Sequence, residues 1–187
     1  ISRHLPTHED CARLDVEAIA THLKKGGTLG SMAAYEERPG QIDMTRAIAS
    51  AFNERKHLMI EAGTGVGKSL AYLIPAIHWS AVNNTPVIIS TATRNLQSQL
   101  LSSDIPRALE TLDESTRGSF KVALLKGRTN YLCLKAVDEF FSSGYWTLSE
   151  DDQLKMPAFI EWLQRSEDGD LDEYEGLSRA DLTRTGD

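Results

Sequence analysis

The sequence predicts an α/β fold with a parallel β-sheet, and two observations carry that expectation. Three apolar runs, Leu58-Met59-Ile60, Val87-Ile88-Ile89 and Val122-Ala123-Leu124-Leu125, are continuous rather than alternating, as in strands buried on both faces. They alternate with helical patterns, which implies right-handed βαβ units. A glycine-rich string lies between the first run and the helical pattern after it.

The elements follow in order. A helix is expected over residues 8–24, with Thr7 as N-cap and Gly26-Gly27 as the stop. A connector containing Pro39 leads to a second helix, Gln41 to Asn53, with Ile42, Ala49 and Phe52 among its apolar positions. Strands are expected at His57–Glu61, Pro86–Thr91 and Phe120–Leu125. The intervening helices run from Gly67 to Val82 and from Arg94 to Leu101, the latter with a further turn or two through Leu112. Pro75 should kink the first of these. After a boundary near residue 126 the pattern turns helical, at Tyr131–Phe141 and at Glu150–Arg165 with Ser149 as N-cap. Residues 168–187 are polar and weakly patterned.

Composition narrows the class. Of the 187 residues 41% are hydrophobic, enough for a buried core. The longest nearly apolar run, Leu70 to Val82, is too short to span a membrane, and the first 30 residues lack a signal-peptide core. Two distant cysteines make no disulfide framework, so a cytoplasmic protein is expected. The net charge of −7 is local: residues 150–175 contribute −8 and residues 1–149 contribute +1. It therefore does not exclude a phosphate-rich partner for the first part, and the acidic run reads most simply as solvated surface. The chain is read as part of a longer protein.

Residues 60–72 read Ile-Glu-Ala-Gly-Thr-Gly-Val-Gly-Lys-Ser-Leu-Ala-Tyr. Glycines at 63, 65 and 67 allow the backbone N–H groups to turn inward and cradle phosphate oxygens. Lys68 is placed to reach the β- and γ-phosphates, and the Ser69 hydroxyl to hold Mg²⁺. The strict pattern asks for glycine where this chain has Ala62, but the strand–loop–helix context supports the assignment.

Three further strings have both a functional and a structural reading. In Tyr35-Glu-Glu-Arg-Pro-Gly-Gln41, the Gln41 amide offers the donor and acceptor that match an adenine edge, with Arg38 beside it; alone, the string is simply a helix start. With the loop downstream, ATP becomes the favoured ligand. Ser90-Thr-Ala-Thr-Arg-Asn-Leu-Gln-Ser-Gln-Leu100 leaves the second expected strand, where hydroxyls, amides and helix-start N–H groups can contact a phosphate backbone; the alternative is an ordinary polar loop with Thr93 as N-cap. In Lys126-Gly-Arg-Thr-Asn-Tyr-Leu-Cys133, a lone cysteine is usually a small apolar residue. An iron–sulfur cluster needs four thiolates, and these residues cannot complete one.

Together, Arg-Pro-Gly-Gln at 38–41, Glu-Ala-Gly-Thr-Gly-Val-Gly-Lys-Ser at 61–69, Thr-Ala-Thr-Arg-Asn-Leu-Gln at 91–97 and Lys-Gly-Arg-Thr-Asn-Tyr-Leu-Cys at 126–133 resemble the DinG family of DNA helicases, related to the XPD-type iron–sulfur helicases. The resemblance covers about residues 26–135. It implies an N-terminal helix at 1–25, a first RecA-like phosphate-loop lobe with a parallel sheet at 26–126, and a mainly helical start of an iron–sulfur domain with an acidic insertion at 127–187. It implies an ATP-driven helicase moving 5′ to 3′ on single-stranded DNA; the sequence does not give the oligomeric state, and a monomer is expected. Gln41 and Arg38 would hold the base end of ATP, and Ala62, Gly63, Thr64, Gly65, Val66, Gly67, Lys68 and Ser69 its phosphates and Mg²⁺. Thr91, Thr93, Arg94, Asn95 and Gln97 would touch DNA, and Cys133 would be the first of four [4Fe–4S] ligands. The family's Asp-Glu-x-His string and second ATPase lobe are not among these residues, so the chain by itself is expected to bind nucleotide weakly and hydrolyse almost none. Two other readings stay open: a different phosphate-loop enzyme such as a small-molecule kinase, and a non-catalytic binding module. Lys68→Ala should abolish activity under the first two and spare partner binding under the third.

Overall fold

The computed structural model describes residues 11–32, 35–144 and 149–174. Two compact units divide near Leu124, residues 1–124 and 125–187.

Helix α1, Val16–Thr21, opens the first unit. It is much shorter than the expected helix over 8–24, because the backbone before it is engaged elsewhere. Asn53 grips Leu14 from both sides, its Oδ1 accepting from Leu14 N at 2.7 Å and its Nδ2 donating to Leu14 O at 2.9 Å. Asn83 does the same to Ala12, at 2.7 and 3.2 Å. Asp15 then caps the helix by accepting from Ala18 N at 2.9 Å. The expected Thr7 cap lies outside the described residues.

Helix α2, Pro39–Glu54, begins with proline in its first turn, where a missing N–H costs nothing. Helix α3, Lys68–Asn83, runs through the fully buried Pro75. Proline has no N–H to donate to the carbonyl four residues back, Ala71 O. The Thr45 hydroxyl of α2, itself fully buried, lies 3.2 Å from that oxygen and 2.9 Å from Gln41 O. The core of the unit joins Leu14, Ile19, Leu23 and Leu29 to Ile42 and Ala49 of α2 and Leu70, Leu73, Ile74 and Ile77 of α3.

Helix α4, Arg94–Gln99, passes through a π-turn at Leu100–Asp104 into α5, Ile105–Leu109. The wider register is made by Ile105 N bonding to Leu100 O, one residue ahead of Pro106, which cannot donate. Helix α6, Glu114–Ser119, starts at Asp113, which accepts from Thr116 N at 3.0 Å.

The expected parallel sheet is not there. Among the described residues no strand forms, and 57–61, 86–91 and 120–125 carry no ladder. Several of their apolar side chains face solvent: Met59 is 97% exposed, Ile88 91% and Leu125 83%. A continuous apolar run reports strand propensity, but a strand exists only when another strand supplies its hydrogen bonds. The α/β expectation is therefore corrected: the described chain is helical.

In the second unit a 3₁₀ turn at Arg128–Asn130 precedes α7, Leu134–Glu139, a wide turn at Phe140–Gly144, and α8, Glu150–Arg165. Met156, Phe159 and Tyr174 form its core with Leu132, Val137 and Trp162 around them. Tyr131 and Asp170 make a single antiparallel bridge. The Lys126 ammonium is held by the Asp170 and Asp172 carboxylates, and Asp170 is buried. Part of the acidic run is thus internal structure rather than solvated surface. Among the described residues no helix is long and apolar enough to cross a membrane.

Candidate nucleotide site

Residues 62–69 form a turn leading into α3. Gly65 and Gly67 both sit at φ +82°, the left-handed region that side chains disfavour. A Cβ at residue 67 would also overlap the Gln41 amide. The loop is braced from the N-terminal end of α2. Arg38 Nη1 donates to Gly65 O at 2.6 Å, and Gln41 Nε2 donates to Gly67 O at 2.8 Å. Two strings more than 20 residues apart thus make one structure. The Lys68 ammonium folds back on the loop, donating to Ala62 O at 2.8 Å and Gly63 O at 2.9 Å. Ser69 is half-buried.

Gln41 is buried, and its amide is already engaged. Besides the Gly67 bond, its Oε1 lies 3.3 Å from the Tyr35 hydroxyl, which also reaches Leu23 O at 2.8 Å. Its place in the fold is that of a brace under the loop.

Beside the loop lies a hollow of about 250 Å³. Gln41, Gly67 and Ser69 line one part of it, and Gln99, Asp104 and Arg107 another. Sequence reading missed these last three. Nothing in their spacing marks them; the only signal was that they follow the 91–97 string on a helical pattern.

In the 91–97 string, Thr93 is the N-cap of α4, accepting from Leu96 N at 3.3 Å, and Thr91 Oγ1 donates to Thr93 O at 3.3 Å. Arg94 and Asn95 are exposed on the first turn, and Gln97 is half-buried. Cys133 is exposed at the start of α7. Among the described residues no three His, Cys, Asp or Glu side chains gather as a metal site. With two cysteines in all, these residues cannot supply the four thiolates of a [4Fe–4S] cluster by themselves.

Comparison with known proteins places the chain beside helicases. Residues 39–122, which hold Gln41, the loop and the 91–97 string, match the DEAD/DEAH box helicase family. The chain is 49% identical over 100 residues to the ATP-dependent helicase DinG of Mycobacterium tuberculosis, covering 54% of this chain and 15% of that protein. In sequence this segment is DinG-like. The DinG-like segment is also 36% identical over 146 residues to a protein of Bacillus subtilis named 3'-5' exonuclease DinG, covering 76% of this chain and 15% of that one. It is 39% identical over 127 residues to the ATP-dependent DNA helicase YoaA of Haemophilus influenzae, covering 67% and 19%. The segment thus spans less than a fifth of these relatives. No solved structure matches it.

Proposed function

We propose that this segment is the nucleotide-binding part of an ATP-dependent DNA helicase that moves 5′ to 3′ on single-stranded DNA. The observation that carries the reading is the pair of bonds from Arg38 and Gln41 to the carbonyls of Gly65 and Gly67. A loop pinned by its carbonyls leaves its N–H groups to turn toward an anion at the start of α3. The positive φ at Gly65 and Gly67 provides a cradle fit for phosphate, which no residue with a Cβ would form without strain. Lys68 would exchange its two loop carbonyls for phosphate oxygens when nucleotide enters, and the Ser69 hydroxyl would hold Mg²⁺. The bound magnesium nucleotide supplies the phosphoryl group whose transfer to water drives movement. The hollow is smaller than the roughly 300–1,000 Å³ of whole ligand pockets, so it takes the base end while the phosphates lie over the loop.

Thr91, Thr93, Arg94, Asn95 and Gln97 meet the DNA strand at the start of α4. Contacts of this kind position the backbone without reading sequence. The names of the relatives support DNA as the polymer. The iron–sulfur part of the reading rests on Cys133 alone within this chain. In the full-length protein Cys133→Ser should lose iron, and unchanged iron content would remove the cluster from the account.

The experiment is phosphate release by the full-length protein with and without single-stranded DNA, alongside unwinding of duplexes with a 5′ or a 3′ overhang. DNA should stimulate release, only the 5′ overhang should support unwinding, and Lys68→Ala should lower turnover by about 100-fold or more. Turnover that survives Lys68→Ala, or that ignores DNA, contradicts the proposal.

A further inference from the structure

We propose that Asp104 selects the base, its carboxylate accepting a hydrogen bond from the exocyclic amino group of adenine. The inference rests on the nucleotide reading above and adds a residue that no motif names.

Four observations lead to it. Asp104 lines the same hollow as Gln41, Gly67 and Ser69. It is 7% exposed, and a buried carboxylate needs hydrogen-bond donors. Its bond within the protein is from Gln99 Nε2 to Oδ2, at 3.2 Å, one neutral donor for a group with about four acceptor sites. The Gln41 amide, the obvious base reader by sequence, gives one N–H to Gly67 O, and its oxygen lies 3.3 Å from the Tyr35 hydroxyl. A base entering the hollow meets Asp104 as a further polar partner for its edge.

The geometry also limits which base. Gln99 sits on Oδ2, so Oδ1 is the less engaged oxygen. The one amino group of adenine can be met by Oδ1 alone. The adjacent N–H donors of guanine, spanning both oxygens, would compete with Gln99 for Oδ2. Asp104 ends the π-turn that joins α4 to α5, and such turns recur where a helix must aim a side chain at a ligand. The site then divides its work: the α2 brace holds the loop, and the π-turn reads the base.

The test uses the full-length protein and displacement of a fluorescent ATP analogue by ATP, 2′-deoxy-ATP, GTP and inosine triphosphate. Inosine carries a carbonyl where adenine has the amino group. The wild type should favour ATP over inosine triphosphate by about tenfold or more, and Asp104→Asn should shrink that preference to about threefold or less, through weaker ATP binding. Gln99→Leu, at an exposed position, should free Oδ2 and raise GTP affinity relative to ATP. An unchanged preference in Asp104→Asn overturns the proposal. So does an equal loss for every triphosphate, which marks a structural role, or a loss for ATP that spares 2′-deoxy-ATP, which marks a ribose contact. If Asp104→Asn does not fold, an unchanged GTP-to-ATP ratio in Gln99→Leu overturns it. A wild type that binds no triphosphate overturns the nucleotide reading itself, and a wild type that binds all four equally overturns only the role of Asp104.

Discussion

Gln41 Nε2 donates to Gly67 O at 2.8 Å, across 26 positions of sequence, at the point where the phosphate loop becomes helix α3. Gly67 O also accepts from Ala71 N at 3.3 Å, so the same carbonyl starts the helix and anchors the loop. Gln41→Ala removes the first of these from a partly buried setting and should cost about 1–3 kcal/mol. Denaturant unfolding checks the stability, and nucleotide titration should show weaker binding for every base. Gly67→Ala should be worse, because it adds left-handed strain to overlap with the Gln41 side chain. In a Gln41→Ala background the overlap vanishes and part of that cost should return.

Thr45 and Pro75 form a second coupled pair. Thr45→Val keeps the shape but removes the one hydroxyl proton that Gln41 O, at 2.9 Å, and Ala71 O, at 3.2 Å, share, at a cost of about 1–3 kcal/mol. Pro75→Ala restores the helical N–H to Ala71 O. Thr45→Val should therefore be cheaper in the Pro75→Ala background, and a double-mutant cycle measures the difference. Strict additivity would mean that Thr45 does not serve the proline gap.

His78 should make stability depend on pH. Burial, with a smaller contribution from neighbouring His22, pushes its pKa down from 6.5 to about 4. The His78–Thr111 bond, at 2.9 Å, fits the neutral ring: Thr111 donates its one hydroxyl proton to Ala108 O at 2.7 Å, so His78 Nε2 carries the proton it shares with Thr111. Because the folded pKa lies below the unfolded one, the unfolded state binds more protons between pH 6.5 and 4. Stability is thus full above pH 6.5 and falls as pH drops toward 4, by on the order of 2–3 kcal/mol. Unfolding curves across that range should show the loss, and His78→Gln should flatten it.

Lys126 should be structural in the second unit. Its side chain is 11% exposed and Asp170 is 8% exposed. Lys126→Met leaves a buried carboxylate without its cation and should destabilise this unit by about 3–5 kcal/mol. Hydrogen exchange should rise at Leu132 N, which bonds Gly169 O at 2.8 Å, before it rises in α2 or α3. The double change Lys126→Met with Asp170→Leu should recover much of the loss.

The sequence made the site more legible than the fold. The loop was readable because its chemistry is local: glycines at 65 and 67, then Lys68 and Ser69, act within one turn. Helices α2, α3 and α8 were readable because proline at a helix start, glycine before Lys68 and serine before Glu150 mark their beginnings. The sheet was misread because strand pairing is a relation between distant segments. The runs at 58–60 and 87–89 have the composition of inner strands and no ladder here. The length of α1 was misread for a similar reason: Asn53 and Asn83, remote in sequence, hold the backbone at Leu14 and Ala12. Asp104 and Gln99 went unnoticed because a buried carboxylate facing a hollow is a fact of packing, with no spacing to announce it.

The central claim is that residues 62–69 enclose a triphosphate. Amide hydrogen exchange of the full-length protein, with and without a non-hydrolysable ATP analogue and Mg²⁺, tests it most directly. The account predicts that bound nucleotide slows exchange at 63–69 and that Lys68→Ala abolishes the effect. Nucleotide that binds while those amides exchange at unchanged rates would contradict it.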